Sequence, residues 1–391
     1  MAVMQNWLLP EYIEDILPAE AARIEALRAR LLELFRVHGY ALVHPPLLEY
    51  VESLATGTGQ DMDIQTFKVV DQLSGRMMGL RADISPQVAR IDAHALNREG
   101  VVRLCYAGRV LHTEPEGLGR TREPFQIGAE LFGHAGIESD IEIQRLLLRA
   151  LKSAGAGNVH IDLGHVAIFR ALVRVANLSG DLESRLFDAL QAKDLPELEV
   201  LTGKLDRATR TALLHLPRLY GGLEVLTEAR AILPDHADIG RALDDLAAIG
   251  TALDEIAHTV CVDLGELRGY HYHSAVVFSV YAADWRSTLA RGGRYDEVGK
   301  AFGRARPATG FSIDLRELAK LQAEVDNAKG ILAPYSSDPR LADQIERLRA
   351  SGEIVVVDLP GHEQHRHELD CNRMLVLNND RWELVPFDGA R

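Results

Sequence analysis

The sequence predicts an α+β fold: an antiparallel sheet flanked by helices, carrying a helical insertion and followed by a small α/β domain. Three patterns predict it. Phe125, Ile127, Ala129 and Leu131 alternate with Gln126, Gly128, Glu130 and Phe132, the period of a strand whose two faces meet different surroundings. Residues 18–38 and 138–154 hold apolar side chains at helical spacing. Residues 166–257 read almost wholly as helix, between two strand-rich regions.

A chain of 391 residues, 47% of them hydrophobic, is long and apolar enough for two domains with a sizeable core. No apolar run approaches the ~18 residues of a membrane span. The first residues lack a basic segment followed by an apolar core, so neither a signal peptide nor a membrane partner is expected. Cys105, Cys261 and Cys371 lie far apart and match no metal spacing; reduced thiols and a cytoplasmic location are expected. A net charge of −14 argues against a phosphate backbone as main partner, so no nucleic acid is expected.

Residues 18–38 form the first predicted helix. Pro18 suits its first turn, Ile24, Leu27, Leu31, Leu34 and Phe35 share one face, and Gly39 ends it. Residues 40–43 read as a short strand running into His44-Pro45-Pro46, which cannot continue a central ladder. Residues 57–63 are a Gly-, Thr- and Asp-rich loop. Residues 66–70 and 79–81 form a predicted hairpin around 71–75. Arg81-Ala82-Asp83-Ile84-Ser85-Pro86 then leads into a helix over 87–97, with Ser85 as N-cap and Pro86 at the first helical position. Capping is the ordinary role for Ser85, and solvent exposure the ordinary state of Asp83. The functional alternative makes both of them ligand contacts at a strand-to-helix junction.

Residues 103–112 read as a strand, and residues 113–119, with Pro115, Gly117 and Gly119, as a loop. On the strand that follows, Gln126 and Glu130 share a face, with Gly128 between them where a ligand can approach the backbone. An amide beside a carboxylate suits a ligand that carries an amine. The ordinary alternative is a hairpin whose polar face meets water.

A helix over 138–154 and a strand over 158–163 lead into the helical block at 166–257, broken at Ser179-Gly180, Gly221-Gly222 and Pro234, in which no chemistry is legible. Strands follow at 261–264 and 274–282, with Arg268-Gly269-Tyr270-His271-Tyr272-His273 between them. Two His and two Tyr could mark a metal or proton-transfer site, but the spacing fits no common zinc pattern, and strand aromatics usually pack. Arg291-Gly292-Gly293-Arg294-Tyr295-Asp296 reads as a Gly-rich turn able to cradle an anion on backbone N–H groups. Residues 308–313 open a helix over 315–321. A linker at 322–329 precedes a small α/β piece: a strand at 330–333, a helix at 338–350 capped by Asp338, a strand at 353–358, and a hairpin at 374–377 and 382–386 around Asn379-Asp380. His362, His365, His367 and Cys371 share one highly charged loop, read as solvated rather than metal-binding.

The order of these pieces resembles the catalytic core of class II aminoacyl-tRNA synthetases. FQIGAELFG at 125–133, LRGYHYH at 267–273 and GGRYD at 292–296 resemble histidyl-tRNA synthetase in particular, over about residues 5–321. The three class motifs then fall near 25–46, 103–133 and 308–321. The resemblance implies a six-stranded antiparallel sheet, a homodimer formed through the first motif, and a histidine pocket. That pocket takes Asp83, Ser85, Gln126, Glu130, Arg268, Tyr272 and Tyr295, with His273 at its second aromatic position.

The departures carry as much information. His112 stands where the synthetases place the Arg that grips the ATP α-phosphate, and Glu317 where the third motif ends in a phosphate-binding Arg. An acid in place of a base at a polyphosphate site swaps attraction for repulsion. Arg316, one residue away, would face elsewhere on a helix. The tail of about 65 residues is short for an anticodon-binding domain. A kept amino-acid pocket beside a degenerate ATP site resembles the histidyl-tRNA synthetase paralogues that serve as regulatory subunits of ATP phosphoribosyltransferase. That resemblance implies a chain without catalytic residues, cofactor or metal. It implies a hetero-octamer with the short-form catalytic subunit, which makes phosphoribosyl-ATP in the first step of histidine biosynthesis, and feedback inhibition by histidine. The loop at 57–63 and the outer helices are candidate surfaces for that partner. The alternative is an active histidyl-tRNA synthetase, or another synthetase-like enzyme that activates an amino acid.

Overall fold

The computed structural model describes residues 8–55, 64–117, 119–178, 180–282, 285, 288–322 and 329–388. The loop at 57–63, Ser179, and residues 323–328 of the linker lie outside the described residues. The chain divides into two compact units, Met1–Ala323 and Glu324–Arg391.

In the first unit the elements run α1 (Pro18–Val37), β1 (Ala41–Leu42), β2 (Leu48–Tyr50), α2 (Val51–Ala55), β3 (Phe67–Val70), β4 (Met77–Leu80) and α3 (Ser85–Arg90), which passes into a π-helical turn, Ile91–Leu96. Then come β5 (Val102–Arg109), β6 (Phe125–Phe132), α4 (Ile137–Ser153) and β7 (Val159–His165). The helical insertion holds α5 (Val166–Val175), α6 (Gly180–Gln191), α7 (Leu195–Leu201), α8 (Arg207–His215), β8 (Tyr220–Gly221), α9 (Val225–Ile232) and α10 (Ala237–Leu253). The unit closes with β9 (Thr259–Asp263), β10 (Val276–Ala282), β11 (Ala290–Arg294), β12 (Ala308–Asp314) and α11 (Leu315–Ala319).

The main sheet has the order β1-β5-β6-β12-β11-β10-β7-β9-β8. Its six central strands, β5 to β7 in that order, are antiparallel throughout. β1 joins one edge parallel to β5, and β9 joins the other parallel to β7. The alternation in β6 sorts its faces. Ile127, Ala129 and Leu131 enter the core cluster that holds Ile24, Leu27, Leu31 and Phe35 of α1 and the apolar side of α4. Phe132 packs on the opposite side with Tyr106 and Tyr295, and Gln126 and Glu130 share that side by the period of the strand.

Two readings change. Arg291-Gly292-Gly293-Arg294 is no turn: it lies in β11, hydrogen-bonded to β10 on one side and β12 on the other. Its N–H groups face ladder partners, so they form no anion cradle. Glycine is needed there for close approach, because a Cβ on Gly292 would sit 2.2 Å from the Gly310 oxygen and 2.4 Å from the Phe278 ring. Arg294 is buried and pairs with Asp140 of α4 at 2.7 Å. Ser85 does not cap α3 with its side chain; the N-cap position is Ile84, and the Ser85 N–H donates to Asp83 Oδ1 at 3.2 Å. The Ser85 hydroxyl is thereby available on the other side of the junction.

Gly128 stands opposite Tyr106. A Cβ there would lie 2.3 Å from the Phe311 oxygen and 2.4 Å from the Tyr106 hydroxyl. Gly128→Ala is therefore expected to overpack the sheet and cost about 1–3 kcal/mol. A clear fall in the thermal midpoint checks this, and an unchanged midpoint would contradict the packing described.

The second unit is a four-stranded sheet, β14-β13-β15-β16, built from β13 (Gly330–Pro334), β14 (Val355–Asp358), β15 (Cys371–Asn378) and β16 (Arg381–Pro386). Helix α12 (Pro339–Ala350) buries Leu341 and Ile345 in its core, and Asp338 caps it by accepting from the Arg340 N–H at 2.9 Å. His362, His365 and His367 lie on an exposed stretch around a 3₁₀ turn that buries nothing. Among the described residues no group of three or more His, Cys, Asp or Glu is placed to hold a metal ion.

Candidate amino-acid binding site

The site begins at the junction of β4 and α3. Buried Arg81 donates to the Arg109 oxygen at 2.9 Å and to the Pro45 oxygen at 2.8 Å, which fixes the junction against β5 and the proline edge. Asp83 and Ser85 follow directly. From the sheet, Gln126 Oε1 accepts from the Ile84 N–H at 3.1 Å, tying the floor to the junction. Glu130, only 1% exposed, accepts from the Tyr106 hydroxyl at 3.2 Å and from the Tyr295 hydroxyl by a short bond. Ser85 Oγ lies 3.1 Å from the Tyr106 hydroxyl. The Tyr272 ring lies 5.0 Å from that of Tyr295 and 5.2 Å from that of His273.

These pieces line a half-open cavity of about 200 Å³, whose walls include Asp83, Ser85, Gln126, Glu130, Tyr272, His273 and Tyr295. That is below the usual range for a drug-sized ligand and suits a small metabolite. Arg268 does not line it. It lines two larger openings beside it and stands 3.4 Å from the Tyr281 hydroxyl and 3.7 Å from Glu266. Sequence reasoning missed Tyr106 and Arg291. Arg291 lines the cavity from β11, and Tyr106 binds the floor carboxylate. Tyr106 had a signal, since a glycine facing a tyrosine across a ladder leaves room for the ring.

Burial sets the charges. It pushes the Glu130 carboxyl up to about 8 and raises that of Asp83 as well. It pushes His273 down to about 4, so that ring is neutral at pH 7. It also keeps Tyr106, Tyr272 and Tyr295 protonated as donors. Three residues that line this space hold a buried polar atom without a hydrogen-bond partner: His112 Nδ1, the Tyr272 hydroxyl and His273 Nδ1. Such orphans are rare, and a bound polar molecule would satisfy them.

A bound ammonium needs Glu130 ionised, and below pH 8 binding must first expel its proton. Affinity for a cationic amine is therefore expected to rise from pH 7 to pH 8, by about fivefold. Glu130→Gln should erase that slope. Calorimetric titration at the two pH values checks the sign.

The residues that the synthetase resemblance aligns with phosphate-binding arginines are differently furnished. His112 is buried, and its Nε2–H donates to the Ala82 oxygen at 2.9 Å, so that N–H is taken up by the backbone. Glu317 pairs with Lys320 at 2.5 Å and lies 3.7 Å from Arg120. Arg120 also meets Asp314 at 3.4 Å and donates to the Thr288 oxygen at 3.0 Å. Arg316 turns the other way and pairs with Glu20 at 2.7 Å and Glu14 at 3.0 Å, at and before the start of α1. The neighbouring opening of about 350 Å³ thus presents cations already facing carboxylates of the same chain.

A class II synthetase-like sheet with an amino-acid-sized acidic cavity defines a histidyl-tRNA synthetase-like protein. Residues 12–318 match the family model described as histidyl-tRNA synthetase, and residues 328–385 match that of the ATP phosphoribosyltransferase subunit HisZ C-terminal domain. Proteins called ATP phosphoribosyltransferase regulatory subunit, from Nitrosospira multiformis and Ralstonia nicotianae, are each 57% identical to the chain. They align with 98% of it and with 98% and 99% of their own lengths. A crystal structure described as an ATP phosphoribosyltransferase regulatory subunit/histidyl-tRNA synthetase from Bacillus halodurans superposes with a TM-score of 0.81 at 28% identity, covering 91% of this chain and 94% of that one. A histidyl-tRNA synthetase from Nostoc shares the fold with a TM-score of 0.77 at 16% identity, covering 97% of both chains. The chain belongs to the family of ATP phosphoribosyltransferase regulatory subunits.

Proposed function

We propose that the chain is a non-catalytic regulatory subunit of ATP phosphoribosyltransferase and that its cavity senses histidine. One observation carries the sensor reading. Two carboxyls, half-buried Asp83 and buried Glu130, line the same small space as Tyr272 and His273, whose hydroxyl and Nδ1 are buried without a hydrogen-bond partner. The carboxyls suit the α-ammonium, and the neutral polar wall suits an imidazole. Arg268, beside the cavity, is placed for a carboxylate only if it swings inward.

In this reading residues 1–321 form the sensor core, with the insertion at about 166–257, and residues 330–391 form a separate small domain. The chain dimerises through α1 and β1 and assembles in the cytoplasm, as a hetero-octamer, with a short-form catalytic subunit. That partner is the glycosyltransferase, moving the phosphoribosyl group of phosphoribosyl pyrophosphate to ATP with release of pyrophosphate, in the first step of histidine biosynthesis. Histidine inhibits by binding one state of the assembly more tightly, a coupling of about 1–3 kcal/mol. Among the described residues no helix is long and apolar enough to cross a membrane.

Co-expression with a short-form phosphoribosyltransferase tests this directly. The two chains should co-purify, the complex should be more active than the catalytic chain alone, and added histidine should inhibit it. Failure to associate would sink the assignment of partner; association without inhibition would sink the sensor.

A further inference from the structure

The cavity's aromatic wall is held from outside by the helical insertion. Tyr272 and His273 belong to a tight turn that starts at Gly269, whose φ of +70° favours glycine. The Tyr272 and His273 N–H groups both donate back to the Gly269 oxygen, at 2.8 and 2.7 Å. The turn's outward carbonyls are met by one guanidinium. Arg170 of α5 donates to the Tyr270, His273 and Ser274 oxygens at 2.6, 2.7 and 3.2 Å, and its charge also lies 4.9 Å from the Tyr270 ring centre. From α6, Glu183 accepts from the Tyr270 hydroxyl at 2.8 Å, and the Phe187 ring lies 5.4 Å from those of both Tyr270 and His271. Phe187 and Gln191 of α6 line the next opening together with Asp83, Tyr272 and His273.

We propose that Arg170 and Glu183 are positioning residues for the ligand, which set the turn carrying Tyr272 and His273 and so couple occupancy of the cavity to the order of helices α5 and α6. This rests on the cavity binding histidine. The physical case is that of reciprocal coupling. If the insertion holds the turn in the shape that meets the ligand, the ligand must in return stabilise the insertion's grip. Neither Arg170 nor Glu183 lines the small cavity, so a direct contact is not needed for the effect.

The test uses the full chain, with histidine as probe, in calorimetry and amide hydrogen exchange. Histidine is expected to slow exchange in α5 and α6. Arg170→Met, and separately Tyr270→Phe, which keeps the ring and removes the hydroxyl that binds Glu183, should weaken histidine binding by roughly 5-fold or more. Glu183→Gln keeps an oxygen to accept from the Tyr270 hydroxyl and should bind better than Glu183→Leu. Arg185→Ala, on the exposed side of α6 where Arg185 pairs with Glu197, should leave affinity unchanged. If histidine binds but exchange in α5 and α6 does not move and both clamp variants keep wild-type affinity, the coupling is overturned while the sensor stands. If the wild-type chain binds no histidine, the sensor reading falls and takes this inference with it.

Discussion

Glu130→Ala is expected to abolish histidine binding at working concentrations, and with it inhibition of the assembled enzyme, while leaving assembly intact. Truncating one partner of a buried, hydrogen-bonded charge pair costs about 2–5 kcal/mol, which is roughly a 30-fold or larger loss of affinity. Asp83→Ala should act in the same direction, because Asp83 faces the same cavity and supports the Ser85 N–H. Unchanged inhibition in both variants would remove these residues from the pocket. Glu130→Gln separates charge from volume, since it keeps the shape and loses the carboxylate.

The same substitution has a second consequence, of opposite sign. The folded carboxyl of Glu130 is raised to about 8, chiefly by burial, above its ordinary value of 4.5. A group raised in this way stabilises the fold below its unfolded value and loses that contribution as pH rises through the folded one. The wild type therefore loses stability relative to Glu130→Gln between about pH 4.5 and 8, and the gap levels off above that window. Thermal melts of the pair at pH 5, 6.5 and 8 read it out. A widening advantage for glutamine, together with lost binding, is the signature of a residue kept for its ligand at a cost to the fold. A gap that narrows with pH would contradict the burial account.

The second large effect concerns ATP. The wild-type chain is expected to show no histidine-dependent exchange of pyrophosphate into ATP, and His112→Arg combined with Glu317→Arg is expected to bring measurable ATP binding. Opposite charges about 4 Å apart near a protein surface interact by about 4 kcal/mol, so reversing one charge and adding another far exceeds a hundredfold in affinity. Removing Glu317 also releases Arg120 from one of its carboxylates, though Asp314 keeps a hold on it. Exchange in the wild type would favour an active synthetase. A double variant that still ignores ATP would mean that something other than these two positions disables the phosphate site.

The sequence by itself determined the sheet and much of the floor of the site. A period of two over residues 125–132 is enough to place Gln126 and Glu130 on one face and the apolar residues on the other, because strand geometry allows nothing else. Helical spacing likewise set the buried stripe of α1, Ile24, Leu27, Leu31 and Phe35. That position 112 holds a histidine and position 317 an acid was legible too, since residue identity, unlike protonation, needs no neighbours.

Only the tertiary structure decided what depends on neighbours distant in the chain. Gly292 and Gly293 read locally as a turn, yet they lie in a central strand, where Gly310 and Phe278 crowd Gly292, and Val276 and His273 crowd Gly293. Ser85 reads locally as a helix cap, but its hydroxyl meets Tyr106 across the sheet. Arg268 belongs to a pocket motif and stands outside the small cavity. Arg170 and Glu183 sit in helices where no chemistry was legible, and they grip the turn that walls the site. Glu130 and Tyr295 share a short hydrogen bond across 165 positions of sequence, and the burial that raises this carboxyl exists only once those segments have packed. Periodicity is local and survives in a bare sequence; proximity and desolvation are made by folding.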